Sequence, residues 1–204
     1  SSIAQYKQSY LKTLINYNKI IKQRNSLLKQ FSDRGYFDDI TLNIYDKQLM
    51  VLGVIIHKER TDFLQALTPV FAKYYSEISG SKEKVALLYK SQLNEGNIET
   101  LLQASLLKDR ASNHTGVGIH KDDVLFEMNE RPIKKIGSQG QQKSFLIALK
   151  LAQFDFIKEQ LGFKPILLLD DIFDKLDDNR VLQLINFVNK GFFGQVFITD
   201  THAE

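Results

Sequence analysis

The sequence predicts an α/β protein in which a helical hairpin arm precedes a lobe built on a parallel sheet. Over the first 80 residues, apolar side chains recur at heptad spacing, which is typical of long helices that pack along a seam. After residue 80, short apolar runs alternate with helical patterns, and the order strand, helix, strand is typical of a parallel crossover unit. We therefore expect an arm over residues 1–80 and a lobe over residues 81–204.

The first arm helix is predicted from Ile3 to Phe31, and the stretch 32–35 breaks it. Tyr10 and Tyr17 fall on its seam, so they are interpreted as core residues rather than as rings that stack on nucleic-acid bases. The seam comprises Ile3, Tyr10, Leu14, Tyr17, Ile21, Arg24, Leu28 and Phe31.

The second arm helix is predicted from a strict seven-residue apolar repeat. Pro69 is expected to kink or interrupt this helix because proline removes a backbone donor, and Gly53 is expected to weaken it. The repeat comprises Leu42, Leu49, Ile56, Phe63 and Val70.

The lobe is predicted to mix strands and helices. Its long helix opens at Ser138 and ends at Gly162, and its unbroken apolar strands are expected to be buried on both faces. The apolar face of the long helix comprises Phe145, Leu149, Ala152 and Phe156. The other predicted elements are a strand over 85–89, a helix over 98–108, extended structure over 115–128 with a turn at 129–132, a strand over 166–169, a helix over 181–189 and a strand over 195–199.

The composition is that of a globular chain. It has 204 residues, 43% of them hydrophobic and 25% charged, with three prolines and no cysteine. The lack of cysteine excludes disulfides, thiolate metal sites and cysteine nucleophiles, and fits a reducing compartment. No apolar run approaches the roughly 18 residues of a membrane helix. We therefore expect a cytoplasmic protein with no membrane partner.

Charge is unevenly distributed, although the formal net charge is only +3. The chain carries no acidic residue up to Phe31, whereas aspartates crowd the stretch 170–178. The basic segment is either a solvated helix face or a surface that contacts DNA phosphates, and both interpretations stay open. The lysines considered for DNA binding are Lys7, Lys12, Lys19 and Lys22.

Two aspartates follow a predicted strand of the lobe. The apolar run 167–169 ends in Asp170 and Asp171, at the carboxyl edge of a parallel sheet, where open α/β folds bind ligands. In this Walker B pattern the first acid holds Mg²⁺, and the second orients or deprotonates a water beside a γ-phosphate. By itself, an apolar strand that ends in aspartate also fits a turn or a helix cap.

A turn of small residues precedes the predicted long helix. Its backbone N–H groups and the Ser138 hydroxyl suit a phosphate at the positive end of a helix. The turn resembles the ABC-type signature, with Gln139 in place of a usual glycine, and the residues concerned are Ser138, Gln139, Gly140 and Gln141. Asp174 and Asp177 fall where such ATPases carry a D-loop that crosses to a partner subunit. The order of the three motifs indicates an ABC/SMC-type ATPase head.

The whole chain resembles the carboxyl-terminal portion of the RecF family, bacterial recombination mediators related to SMC-type ATPases. The stretches that carry this resemblance are Tyr10-Leu11, Tyr17-Asn18, Gln23-Arg24-Asn25, Thr115-Gly116, His120-Lys121-Asp122-Asp123, Ser138-Gln139-Gly140-Gln141, Leu149-Lys150-Leu151-Ala152 and residues 167–177. Two departures are Asp174-Lys175, where the family often has Ser-Glu, and Ile119, where it commonly has proline.

The resemblance implies a role for each motif. Asp170 would bind Mg²⁺ and Asp171 would position or activate water, while the signature residues would contact the γ-phosphate held by the opposite protomer. Asp174 and Asp177 would belong to the D-loop, and His202 lies near the position of a switch histidine. His120 with Asp122 and Asp123 also suits a metal, but a structural role is the preferred interpretation.

The resemblance also implies cofactors and partners. These are ATP and Mg²⁺, single- and double-stranded DNA, RecR, and a second copy of the protein in an ATP-dependent homodimer. The implied role is in DNA replication, recombination, repair and the SOS response, where the mediator helps to load recombinase at single-strand gaps. The parent protein would be a slow DNA-dependent ATPase.

The phosphate-binding loop is missing from this sequence, since no glycine is followed by Lys-Ser or Lys-Thr. RecF-like proteins carry that loop in the amino-terminal part of the head, so we expect this chain to be a fragment that does not hydrolyse ATP alone. Two alternatives remain. One is a non-enzymatic module whose hairpin binds protein or DNA regardless of nucleotide, and the other is the head of another SMC-like ATPase, against which the short hairpin argues.

Overall fold

A computed structural model of the chain describes residues 2–80, 83–170, 176–189 and 191–199. The chain forms two compact units, of which the first contains Ile3–Phe63 and Tyr89–Val124 and the second contains Leu64–Leu88 and the residues from Leu125 onward. One boundary falls within the second long helix, so the division into an arm over 1–80 and a lobe over 81–204 stays a prediction. No described helix combines the length and the apolarity that crossing a membrane requires.

The elements follow the predicted order. The helices are α1 (Ile3–Tyr6), α2 (Gln8–Arg34), α3 (Asp39–Ser79), α4 (Ile98–Ser112), α5 (Ile133–Ile136), α6 (Gln139–Leu161) and α7 (Asp178–Asn189). The strands are β1 (Val85–Lys90), β2 (Asp123–Met128), β3 (Arg131–Pro132), β4 (Leu167–Leu169) and β5 (Val196–Ile198), and short 3₁₀ turns cover Gln92–Asn94 and Ile119–Lys121.

The first predicted helix is present, with one interruption. Lys7 is extended and separates α1 from α2, while Gly35 ends α2 in the left-handed conformation at φ 62°. The predicted seam is confirmed at Tyr10, Tyr17 and Leu28, whose side chains are almost fully buried. Tyr10 and Tyr17 join α3 and α4 residues in the core of the first unit.

Helix α3 runs without interruption through Pro69, so the expected interruption is wrong, while the alternative of a kink stays a prediction. The Pro69 ring is exposed, which leaves the carbonyl freed by its missing N–H near solvent. The buried stripe also changes position along the helix. Leu42, Leu49 and Ile56 are buried as predicted, but from residue 63 onward the burial moves to Leu64, Leu67 and Phe71. A straight helix drifts about 20° per heptad, which explains this shift by one residue.

Gly53 has a packing role in α3. A Cβ placed there would lie 2.8 Å from the Ile98 Cδ1 atom of α4. The missing side chain therefore lets the two helices approach each other closely.

Helix α6 is the central element of the second unit. In the predicted apolar face of α6, Phe145 and Ala152 are buried, whereas Leu149 and Phe156 are half-buried. The buried surface of the helix also extends beyond this face. Its buried residues are Ser144, Phe145, Ile147, Ala148, Leu151, Ala152, Phe154 and Ile157. The Phe145 ring packs against Phe71 of α3 at a centroid distance of 4.5 Å.

The described strands form two sheets, one of three strands in the order β1-β2-β3 and one in which β4 and β5 are parallel, as predicted. The expectation that the apolar strands are buried on both faces is wrong for the described residues. Leu167 and Leu169 are buried, but Leu168 is 68% exposed and its partner in register, Phe197, is 53% exposed. Successive side chains of a strand point to opposite faces, and only one face is covered here. The stretch 115–128 also differs, because a 3₁₀ turn precedes β2.

Candidate functional site

The signature turn lies at the start of α6, where Ser138 is the N-cap residue. The Ser138 Oγ atom accepts a hydrogen bond from the Gln141 backbone N–H at 3.2 Å, and the Gln141 side-chain oxygen accepts one from the Ser138 N–H at 2.7 Å. This reciprocal pair is a capping box. Because Ser138 Oγ accepts in the cap, its own proton stays available for a further acceptor.

The same turn presents backbone donors. Gln139 and Gly140 occupy the first turn of α6, where N–H groups have no intrahelical acceptor. Gln139 is exposed and Gly140 is half-buried, and no acidic residue lies in this first turn. A helix of 23 residues that opens in this way attracts an anion to its N-terminus. The turn has the chemistry of a phosphate contact.

The predicted magnesium ligand lies at the carboxyl edge of the parallel pair. Asp170 follows β4 and Thr199 follows β5, and the Thr199 hydroxyl donates a short hydrogen bond to Asp170 Oδ1. Asp170 is exposed. An exposed carboxylate with a neighbouring hydroxyl at this edge suits a hydrated Mg²⁺ ion, which commonly retains several water ligands.

The predicted D-loop lies only partly within the described chain. Asp177 accepts a hydrogen bond from the Arg180 N–H at 3.0 Å and forms an ion pair with the Arg180 guanidinium at 3.0 Å, so it caps α7. Asp171, Asp174 and His202 lie outside the described residues. Ser138, Asp170 and Asp177 all belong to the second compact unit.

The four predicted DNA-binding lysines differ in their surroundings. Lys7 donates to both carboxylate oxygens of Glu59, at 2.6 and 2.8 Å. Lys12, Lys19 and Lys22 are exposed on one face of α2, and none of them forms an ion pair within the part of the chain that the structure describes. Three of the four lysines therefore present unneutralised charge.

A buried ionic cluster holds the interior of the first unit. Arg24 is fully buried and donates to Asp46 at 2.6 Å, to Asp109 at 2.7 Å and to the Thr115 hydroxyl at 3.0 Å. The Asn25 side-chain oxygen accepts from the Thr115 N–H at 2.8 Å. The cluster thus joins α2, α3 and α4 to the loop after α4.

The stretch around His120 forms a second internal cluster. His120 Nε2 lies 3.0 Å from the Thr115 carbonyl oxygen, and Nδ1 lies 3.2 Å from the Tyr17 hydroxyl. Asp122 pairs with Arg60 at 3.0 Å and accepts a short hydrogen bond from the Tyr89 hydroxyl. Among the described residues, no group of three or more His, Asp or Glu side chains could hold a metal ion. The contacts of His120 and Asp122 are those of a structural cluster.

Fold and motifs together define the class of protein. The capped turn at Ser138, the parallel strands that lead to Asp170 and the helical hairpin belong to an ABC/SMC-type ATPase head lobe with an arm, as the sequence predicted. No protein-family model matches the chain.

Comparisons with known proteins identify the family. The chain is 54% identical over all 204 residues to the DNA replication and repair protein RecF of Flavobacterium johnsoniae, of which it covers 57%. It is 46% identical over 195 residues to the RecF of Cytophaga hutchinsonii, covering 96% of this chain and 52% of that protein. The chain belongs to the RecF family, and it spans about half the length of the curated relatives it matches.

Solved structures agree with this assignment. The structure of the recombination mediator protein RecF-ATP in the RecFOR pathway superposes with a TM-score of 0.85 at 29% identity, covering 100% of this chain and 56% of that one. The RecF-ATPrS structure superposes with a TM-score of 0.83 at 31% identity, covering 99% of this chain and 56% of that one.

Several stretches that carry the family resemblance meet in the first unit. Gln23-Arg24-Asn25 contacts Thr115-Gly116, and Tyr17-Asn18 contacts the stretch that contains His120. These residues hold the first unit together. Sequence reasoning did not find the ionic partners Asp46, Asp109 and Arg60, because each lies far along the chain from the residue it contacts.

The His120 cluster predicts a pH dependence of stability. Burial lowers the pKa of His120 below its ordinary value of 6.5, and the charge of Lys121 acts in the same direction, against the Thr115 carbonyl. The Thr115 carbonyl only accepts, so Nε2 carries a proton. The lowered pKa favours the neutral ring in the folded state. Below pH 6.5 the unfolded chain binds more protons than the folded chain, so stability falls as the pH falls.

Substitution of His120 tests this dependence. We expect wild-type protein to lose more free energy of unfolding than His120→Gln between pH 7.5 and 5.5, as measured by chemical denaturation followed by circular dichroism. The difference between the two curves isolates His120 from the other titrating groups. Parallel curves over this range would contradict the prediction.

Proposed function

We propose that the full-length protein is an ATP-dependent DNA repair and recombination mediator whose signature turn acts across a homodimer. The observation that carries this proposal is the capped, donor-bearing turn at Ser138 in a chain 54% identical to a DNA replication and repair protein RecF. The solved RecF-ATP and RecF-ATPrS structures support ATP as the ligand.

Each residue has a separate role at the proposed nucleotide site. The Ser138 hydroxyl and the Gly140 N–H donate to the γ-phosphate that the other protomer holds, while Gln139 and Gln141 shape the turn. Asp170 binds Mg²⁺, and Asp171 orients or deprotonates the attacking water. Bound Mg²⁺ would supply charge neutralisation at the phosphates.

Other parts of the site join the two protomers. In this proposal, Asp174 and Asp177 contribute the D-loop at the dimer contact, and His202 is a candidate switch residue. The 204-residue chain is not expected to hydrolyse ATP alone, because it has no phosphate-binding loop.

Partners and location complete the proposal. DNA, single- or double-stranded, lies against the exposed lysines of α2, and RecR joins the protein to recombinase loading at single-strand gaps. The RecFOR pathway named with the solved RecF-ATP structure supports RecR as a partner. The cysteine-free composition supports the cytoplasm as the location.

Two substitutions at Ser138 test the signature role in the full-length protein. Aspartate and asparagine both cap helices as well as serine does, so α6 keeps its start in Ser138→Asp and Ser138→Asn. We expect Ser138→Asp to weaken ATP-dependent dimerisation at least about tenfold, since like charges ~4 Å apart repel by several kcal/mol near a protein surface.

Sedimentation with and without ATP provides the measurement. The neutral Ser138→Asn variant is the matched control and should dimerise more tightly than Ser138→Asp. If Ser138→Asp dimerises like wild type, the signature role fails, and a module that binds regardless of nucleotide becomes the better account.

Charge reversal on α2 tests the DNA contact. We expect Lys12→Glu, Lys19→Glu and Lys22→Glu together to reduce the slope of log affinity against log salt by about 2 to 3, because each phosphate contact contributes about 0.9. Fluorescence anisotropy with a DNA duplex at several salt concentrations measures the slope. Lys7→Gln is the control, since Glu59 already neutralises Lys7. An unchanged slope in the triple variant would indicate that this face of α2 is a solvated surface that makes no contact with DNA phosphates.

A further inference from the structure

A chain of hydrogen bonds connects the end of α3 with the signature turn. The Tyr75 hydroxyl donates to Glu83 Oε2 at 2.6 Å, and Glu83 Oε1 accepts from Gln141 Nε2 at 2.6 Å. Gln141 Oε1 in turn accepts from the Ser138 N–H at 2.7 Å. Glu83 thus uses its two oxygens to join a core helix with the residue that forms the capping box.

The chain of hydrogen bonds is rigid at its α3 end, where Tyr75 lies. Tyr75 is fully buried, and its ring lies 6.0 Å from the Phe145 ring of α6 and 6.4 Å from the Phe71 ring. Its hydroxyl also lies 3.5 Å from Met128 Sδ. A ring held on several sides fixes where its hydroxyl points, so the Glu83 carboxylate has a fixed anchor.

The signature end depends on the orientation of one side chain. Gln141 satisfies the cap only while its oxygen faces Ser138, and that orientation leaves its NH₂ group facing away from the cap. Glu83 accepts from this NH₂ group in a charge-assisted hydrogen bond, which is stronger than a neutral one. Without Glu83, the amide loses the partner that fixes its orientation, and the Ser138 cap loosens.

The charge of a residue that pairs with the predicted D-loop also acts on Tyr75. Burial raises the pKa of Tyr75, and the hydrogen bond and charge of Glu83 raise it further. The charge of Arg180 acts in the opposite direction. Arg180 is the ion-pair partner of Asp177.

We propose that Glu83 is a positioning residue that holds the signature turn in its phosphate-binding geometry by anchoring Gln141 to Tyr75. This inference rests on the proposed signature function of Ser138. It assigns Glu83 no contact with nucleotide, and it makes α3 the support against which the turn is held.

Three variants of the full-length protein test this role. Glu83→Ala removes both acceptors. Glu83→Gln keeps an oxygen for Gln141 and gains an NH₂ group that can donate to the Tyr75 oxygen, so it should rescue the link. Tyr75→Phe removes only the anchoring hydroxyl.

The first readout needs no nucleotide. We expect Glu83→Ala to speed hydrogen exchange of the Ser138, Gln141 and Gln142 amides, which are hydrogen-bonded at the cap, about fivefold to tenfold, as for a weakened helix cap, while Glu83→Gln exchanges like wild type. Tyr75→Phe should fall between them. Unchanged exchange of the α4 amides is the control for folding.

The second readout is ATP-dependent dimerisation by sedimentation, which Glu83→Ala should weaken about tenfold and Glu83→Gln should preserve. Normal exchange in Glu83→Ala, or faster exchange with normal dimerisation, would overturn the positioning role. The Ser138→Asp variant separates the two proposals. If it abolishes dimerisation while Glu83→Ala does not affect it, only the role of Glu83 fails, and if Ser138→Asp has no effect, the signature function itself fails.

Discussion

Burial of α6 on most of its circumference is the constraint on which the second unit depends. Its buried side chains point in several directions from the helix axis, and each large apolar one contributes about 1.5–3 kcal/mol when fully buried. The helix therefore cannot rotate or slide without losing several contacts at once. This packing fixes the helix from Ser144 onward, and the hydrogen bond from Gln141 to Glu83 ties the first turn to the same unit. A phosphate contact made by backbone donors needs this kind of rigid support, because the donors act only where the phosphate oxygens lie.

The first unit is held by buried charge as well as by apolar packing. Arg24 has no exposed surface, and two carboxylates and a hydroxyl surround it. Removing one partner of such a pair typically costs about 3–5 kcal/mol, because the remaining charge stays buried. The residues of this unit that carry the family resemblance therefore stabilise its interior. The proposed contacts with nucleotide and Mg²⁺ are made by Ser138 and Asp170 of the second unit.

Local signals made much of this fold predictable. The heptad seam gave Tyr10 and Tyr17 as core residues, and Ser138 with Gln141 three residues later is a helix-start pattern that the structure contains as a capping box. Parallel pairing of β4 with β5 followed from the order of elements. Each of these features depends on residues close together in the sequence or on a general rule of connection.

Features that depend on distant residues were not predictable. Glu83 meets Gln141 across 58 positions, and no local pattern marks that pairing. The exposure of Leu168 depends on what covers the sheet, which an apolar run does not encode. The continuity of α3 through Pro69 depends on the burial of Leu67 and Phe71 on either side of it, which outweighs the unfavourable helix propensity of proline.

The central claim is that the signature turn of one protomer completes the nucleotide site of the other. A mixed dimer tests it most directly, with Ser138→Asp in one full-length protomer and a disabled phosphate-binding loop in the other. If the turn acts across the dimer, both lesions fall in the same site, and the account predicts that the mixed dimer still retains ATP at one intact site. If the turn acts within its own protomer, each site carries a lesion. A homodimer of either variant carries a lesion in both sites and serves as the reference. A mixed dimer that retains no ATP, like these homodimers, would contradict the account.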